Sequence, residues 1–468
     1  MCRMRTVCAA AGFALAASFG TVLPAAVPLA ALPATAVAAV AASGEHCGRI
    51  ERLRVPAAER QLVACLGDLT TAGTTASGHT DPADWAGLHP PGAVNPAGVP
   101  GIQLDGYFAD GSATNTNHGW LHDSQFVIRL PDDWNGGLVV AGSPGVREQY
   151  ANDFVISDWV LARGYAFAAT DKGNTGVRFF DDGVRPGEAI AEWNHRLTQL
   201  TLAARATVAQ RYGRPPRQTL AAGVSNGGYL VRWQLENVPW LYDGGVDWEG
   251  TLWRADGPNL LTFLPPALRG YQRLLAGDQG GRAQVVAAGF PAGSEFLWDF
   301  HHRVYWDLTQ RIYREELDPE FDGDLAAGVP FCRSGTPDCD ADYDYATRPD
   351  AVRDAVRSIE LTGRIGRPMI TLHGTLDTLL PIGVDSDPYR AMIEAAGRGG
   401  AHRYYRIEGG NHVDGLYGLF PDRLRPILPC FHSALAALEG WLAGIAPPPG
   451  GTLPRPPGGD LVNTCSLA

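Results

Sequence analysis

Lysine is almost missing from this chain: Lys172 is the only lysine among 38 basic residues, set against 50 acidic ones and a formal net charge of −12. That balance excludes the basic footprint that nucleic-acid binding requires. Charge of either sign is sparse too, at 19% of residues against 45% apolar. Such a composition excludes a disordered acidic tail, a coiled coil and a fibrous repeat. Beyond residue 42 no stretch approaches 18 uninterrupted apolar residues, so no spanning helix is expected there. What is present is length, with 468 residues, and an abundance of Gly (57) and Pro (35). These predict one large or two ordinary globular domains with many loops.

Residues 1–42 contain no Asp or Glu. They open on Met-Cys-Arg-Met-Arg and continue as an Ala-, Val- and Leu-rich run with small-x-small sites at Ala36-Val37-Ala38 and Ala39-Val40-Ala41. A positive start, an apolar stretch and an Ala-x-Ala exit predict a secretory signal peptide over 1–42. Pro24, Pro28 and Pro33 interrupt the run as a spanning helix. The expectation is therefore an exported protein with no membrane partner after cleavage. Losing Arg3 and Arg5 takes the charge from −12 to −14, and six cysteines remain: Cys47, Cys65, Cys332, Cys339, Cys430 and Cys465. In an exported chain an even set predicts disulfides, and the simplest pairing is between sequence neighbours. No C-x-x-C pair with a matching second half points to zinc.

After a lead-in at 43–100, with a short helix expected around 56–66, strand and helix patterns alternate. Strands are predicted at 101–109, 125–130, 137–141, 165–170 and 218–223, and helices at 155–163, 191–212 and 226–238. Strands resume at 368–372 and 403–407, and a closing helix lies at 431–444. This order predicts an α/β fold with a mostly parallel, doubly wound sheet. The catalytic domain is expected over 101–251 and 363–445. Residues 252–362, dense in Trp, Tyr and Phe, read as a lid insertion over the carboxyl ends of the strands, and 446–468 as a Pro/Gly-rich tail.

Gly223-Val224-Ser225-Asn226-Gly227 is G-x-S-x-G placed directly between a predicted strand and a predicted helix. In that context the serine occupies a nucleophile elbow, and the N–H of Asn226 opens the helix toward a developing oxyanion. A serine hydroxyl needs a base, and the base needs an acid to orient it, in the chain order Ser, acid, His. Asp377 follows a predicted strand in His373-Gly-Thr-Leu-Asp377-Thr-Leu-Leu-Pro381 and is the expected acid. Its rivals Asp385 and Asp387 are expected to be solvated. His412 follows the next strand in Glu408-Gly-Gly-Asn-His412 and is the expected base, with His373 structural and His301 and His302 at most lining a pocket. The second oxyanion donor is expected at the N–H of Ser143, in Gly142-Ser143-Pro144-Gly145. No cofactor or metal is expected. Asp338-Cys-Asp-Ala-Asp-Tyr-Asp344 lacks the Gly and terminal Glu of a calcium loop and reads as solvated.

Over roughly 100–445 these residues resemble a secreted serine esterase of the α/β-hydrolase superfamily. Ala169-Thr-Asp-Lys172-Gly-Asn-Thr-Gly176 and Gly223-Val-Ser-Asn-Gly-Gly228 are similar to the D-3-hydroxybutyrate oligomer hydrolase group. Trp193-Asn-His195 through Tyr212-Gly213 to the elbow resembles the tannase/feruloyl esterase family. Both resemblances imply ester hydrolysis by a Ser-Asp-His triad. Tannases typically flank the serine and the histidine with a disulfide-linked cysteine pair, and this chain has Val224 and Val413 there. The resemblance implies a hydroxyalkanoate oligomer or similar ester as substrate. An aryl or feruloyl ester, a peptide, or a catalytically silent scaffold are the alternatives. Lys172 would lie on the rim of the same site, where a structural salt bridge with a nearby Asp is expected ahead of a role in orienting a substrate carboxylate.

Overall fold

A computed structural model describes residues 47–48, 50–321 and 340–467. The expected signal peptide, the Cys332–Cys339 couple and Asp338 lie outside them. The described residues belong to one compact unit, 42–468.

Ten strands among the described residues form one sheet. They are β1 (Ala58–Leu66), β2 (Gly101–Phe108), β3 (Gln125–Pro131), β4 (Gly137–Gly142), β5 (Ala166–Thr170), β6 (Gln218–Val224), β7 (Gly244–Trp248), β8 (Met369–Gly374), β9 (His402–Ile407) and β10 (Gly451–Leu453). Their spatial order is β1-β2-β3-β5-β4-β6-β7-β8-β9-β10. β1, β2 and β3 pair antiparallel, as does β3 with β5. From β5 to β10 every pairing is parallel. Strands β2 to β8 are buried on both faces, apart from single positions in β2 and β6, which is why they read as apolar runs rather than alternating ones. This is the α/β-hydrolase architecture.

The helices are α1 (Thr71–Ala76), α2 (Asp158–Leu161), α3 (Glu188–Tyr212), α4 (Asn226–Asn237), α5 (Leu260–Leu275), α6 (Gly280–Ala287), α7 (Glu295–His301), α8 (Asp307–Leu317), α9 (Asp350–Arg357), α10 (Ser386–Ala395) and α11 (Leu428–Leu442). In α3, Ile190, Trp193, Leu197, Leu200, Ala204 and Val208 recur at helical spacing and are buried in one core layer with α4. Gly213 ends the helix at φ 72°, a conformation in which a Cβ would be strained. The opposite face of the sheet is covered by α11 and by residues 150–161. Helices α5 to α9 all fall in the connection between β7 and β8.

One local expectation is corrected and one strand is added. Residues 58–66 are strand, not helix, because β1 finds an antiparallel partner in β2 and Cys65 is bonded to Cys47. Residues 244–248, which the alternation left unassigned, are a fully buried central strand. Cys430 and Cys465 form a second disulfide.

Candidate active site

The site begins at the β6–α4 junction. Ser225 has φ 57° and ψ −122°, outside the ordinary regions for a residue with a side chain. The glycines around it make the turn possible. A Cβ on Gly223 would lie 2.2 Å from Gly227 backbone, and one on Gly227 would lie 2.5 Å from the Gly142 carbonyl oxygen. Asn226 is the first helical residue, so its N–H has no acceptor within α4.

Asp377 lies in the loop after β8, and His412 lies in the loop after β9. The three expected residues come together, although 187 positions separate the serine from the histidine. His412 Nε2 is 3.0 Å from Ser225 Oγ, and His412 Nδ1 is 2.9 Å from Asp377 Oδ2. All three are buried, Ser225 the least so at 9% exposure. Asp377 Oδ1 accepts the N–H groups of Leu379 (2.7 Å) and Leu380 (2.8 Å), which fix the carboxylate in place. Burial opposes ionisation of Asp377, but His412 and His373 beside it prevail and hold its carboxyl well below the usual range. His373 is structural: Nε2 donates to the Leu380 carbonyl at 2.8 Å, and Nδ1 meets Ser386 Oγ at 2.7 Å.

Sequence reasoning missed Glu249, the residue after β7. It is fully buried at φ 52°, and its Oε1 accepts the Gly374 N–H at 2.5 Å. Its Oε2 lies 3.4 Å from His412 Nδ1 and has no hydrogen-bond partner. Burial and the charge of Asp377 raise its pKa well above the ordinary value, which favours the protonated carboxyl beside the histidine. The signal for it was a carboxylate at a strand end, visible only once β7 is recognised as a strand.

Four expectations about polar residues are corrected. The Ser143 N–H donates to the Thr170 carbonyl at 3.1 Å, continuing the β4–β5 ladder by one residue, so it is not a free oxyanion donor. Pro144 has no N–H, and the next residue, Gly145, is held to the elbow by its carbonyl, which accepts Asn226 Nδ2 at 2.9 Å. Lys172 is fully buried. Its ammonium donates to Ser143 Oγ and lies 5.1 Å above the Trp193 ring, so it supports the loop from beneath rather than facing a substrate carboxylate. Burial, partly offset by Asp171, lowers its pKa to about 7. Asp385 is buried rather than solvated: Arg232 of α4 donates to it at 2.9 Å and to Asp247 at 2.7 Å. Asp340, from the acidic loop, is likewise buried against Arg314 at 2.7 Å.

Among the described residues two groups of side chains could offer three ligands to a metal ion. One is Glu249, Asp377 and His412, already engaged with one another. The other is Asp110, Asp182 and Glu192, where Arg196 pairs with Asp110 (3.1 Å) and Glu192 (2.6 Å).

Residues 113–246 match the family model for tannase and feruloyl esterase, and residues 333–460 match that for 3HB-oligomer hydrolase. Two curated relatives are D-(-)-3-hydroxybutyrate oligomer hydrolases. That of Azoarcus sp. is 29% identical over 111 residues, covering 22% of this chain and 16% of the relative. That of Cupriavidus necator is 33% identical over 104 residues, covering 21% and 14%. The chain therefore aligns with only a small part of the length of either. Among solved structures, feruloyl esterase B from Aspergillus oryzae is 15% identical with a TM-score of 0.47, covering 86% of this chain and 91% of that one. Tannin acyl hydrolase from Aspergillus niger is 12% identical with a TM-score of 0.43, covering 79% and 88%. With its sheet order, its strained serine at the β6–α4 turn and these two partial matches, the chain is an α/β-hydrolase that resembles the tannase/feruloyl esterase and 3-hydroxybutyrate oligomer hydrolase families.

Proposed function

We propose that this protein is a carboxylic ester hydrolase that works through an acyl-enzyme on Ser225. The observation that carries the reading is the continuous chain Ser225 Oγ–His412–Asp377, with links of 3.0 and 2.9 Å. In this reading His412 takes the Ser225 proton as Oγ attacks the ester carbonyl. It then gives that proton to the departing alkoxide, and a water repeats the sequence to release the acid. Asp377 holds the proton on Nδ1 and stabilises the imidazolium. The oxyanion is received by the N–H of Asn226 and, in place of Ser143, that of Gly145.

The substrate we favour is a hydroxyalkanoate oligomer, because the segment carrying Asp377 and His412 matches 3HB-oligomer hydrolase. An aryl or feruloyl ester is the second reading, because the segment carrying Ser225 matches tannase and feruloyl esterase. Two disulfides and the Ala-rich segment 1–42 support export. No helix among the described residues is long and apolar enough to cross a membrane. The aromatic helices between β7 and β8 act as a lid in this reading, since Tyr313 of α8 touches Asn226. The test is hydrolysis of 3-hydroxybutyrate dimers and trimers against methyl ferulate, with Ser225→Ala as the blank. Faster turnover of the oligomers supports the favoured class, faster ferulate turnover replaces it with the second, and no turnover of any ester rejects both.

A further inference from the structure

Two buried side chains in the β7–β8 connection, Gln310 and His301, carry polar atoms with no hydrogen-bond partner in the chain and have no part in the chemistry above. Gln310 of α8 is fully buried, and neither its amide oxygen nor its amide nitrogen is partnered. His301, at the end of α7, is fully buried with Nδ1 unpartnered. An unsatisfied buried group costs more than a made hydrogen bond returns, so these atoms call for a partner that the chain does not supply, a water or a ligand.

Their position says which partner. Trp306, Gln310 and Tyr313 are spaced four and three residues apart, which places them on one helix face. At one end of that face Trp306 Nε1 donates to the carbonyl of Thr378, the residue after Asp377, at 2.6 Å. At the other end Asn226 Nδ2, beside Ser225, donates to the Tyr313 hydroxyl at 2.6 Å. Gln310 therefore lies between them on the helix face that bridges the acid loop and the nucleophile turn. His301 reaches the loop that carries the catalytic histidine: its Nε2 is 3.4 Å from Asn411 Nδ2, in the residue before His412. Asn411 Oδ1 faces the Thr378 N–H and hydroxyl, both at 3.4 Å, which orients the amide so that Nε2 accepts and Nδ1 carries the proton. Burial lowers the His301 pKa to about 3, which keeps the ring neutral.

We infer that Gln310 and His301 form a polar subsite that recognises a hydroxyl group on the acyl chain of the substrate. Gln310 supplies one acceptor and one donor, and His301 supplies a second donor. A hydroxyl donates once and accepts twice, so it fits this set, whereas a plain alkyl chain leaves all three groups dry and unpaired. The inference rests on the esterase reading and names the residues that would select a hydroxyacyl chain.

Methyl 3-hydroxybutyrate and methyl butyrate differ by that hydroxyl alone. The wild-type protein should favour the hydroxy ester in kcat/KM by on the order of tenfold or more. In Gln310→Met and in His301→Phe the ratio should fall several-fold toward one, chiefly through KM. A wild-type ratio at or below one overturns the inference while leaving the esterase reading intact, and it does so whether or not the variants fold. An unchanged ratio in a folded Gln310→Met does the same, because ordered water then satisfies the amide. Turnover of neither ester by wild type overturns both readings.

Discussion

Replacing Asp377 by Asn removes the charge behind the histidine and keeps the shape. The new side chain can still accept the Leu379 and Leu380 N–H groups through its oxygen, at the 2.7 and 2.8 Å positions. Its amide nitrogen would then face His412 Nδ1 and favour the wrong tautomer. In an isolated triad that change costs roughly 10⁴ in turnover, about 5 kcal/mol of transition-state stabilisation. Here a second carboxyl lies 3.4 Å from the same Nδ1. Burial and the charge of Asp377 push the Glu249 pKa up, so removing Asp377 lets it ionise more readily. Its longer contact should recover part of the loss, leaving Asp377→Asn down on the order of 10², with Asp377→Asn/Glu249→Gln falling to the full 10⁴. Because the substitute acid must first lose its proton, residual activity of the single variant should rise with pH along a curve absent from wild type. Initial rates on p-nitrophenyl butyrate across pH 5–9 measure both effects. Equal activity in the single and double variants, or a flat profile in the single one, would refute the reasoning.

Lys172→Met should raise the thermal midpoint by several degrees at pH 6 and by less at pH 9, read by calorimetry. The folded pKa near 7 lies below the unfolded value near 10.5, so the folded state binds fewer protons between them and wild-type stability rises across that window. The ammonium's burial cost is therefore fully present below pH 7, where Met removes most of it. Arg232→Met leaves Asp247 and Asp385 buried without their shared cation, and it should cost about 3–5 kcal/mol in denaturant unfolding. A loss under about 1 kcal/mol would show that those carboxyls find other partners.

The sequence made some of this legible because the information there is local. G-x-S-x-G between a strand and a helix, an Asp four residues past His373, and Gly-Gly-Asn-His after a strand are each read within ten residues. The turn geometry they encode is the geometry observed. What escaped depends on partners distant in the chain. Ser143 was a reasonable oxyanion donor until Thr170, on the neighbouring strand, claimed its N–H. β1 resembles a helix in isolation and becomes a strand through β2. Glu249 was hidden because β7 is five residues long and begins with two glycines, leaving too little pattern to mark its end. Asp385 reads as solvated because it lies further along the loop than Asp377, and Lys172 reads as a rim residue because its Gly-rich loop follows a strand end. Arg232 draws the first inside, and the second is enclosed against Ser143 and Trp193.

The central claim is that Ser225 is the nucleophile of an ester hydrolase, and the most direct measurement is p-nitrophenyl butyrate turnover by purified wild type and Ser225→Ala. The account predicts steady hydrolysis by wild type and a loss on the order of 10⁶ in kcat for the variant, with unfolding midpoints unchanged to within a few degrees. Inactive wild type, or a variant as active as wild type, would contradict it.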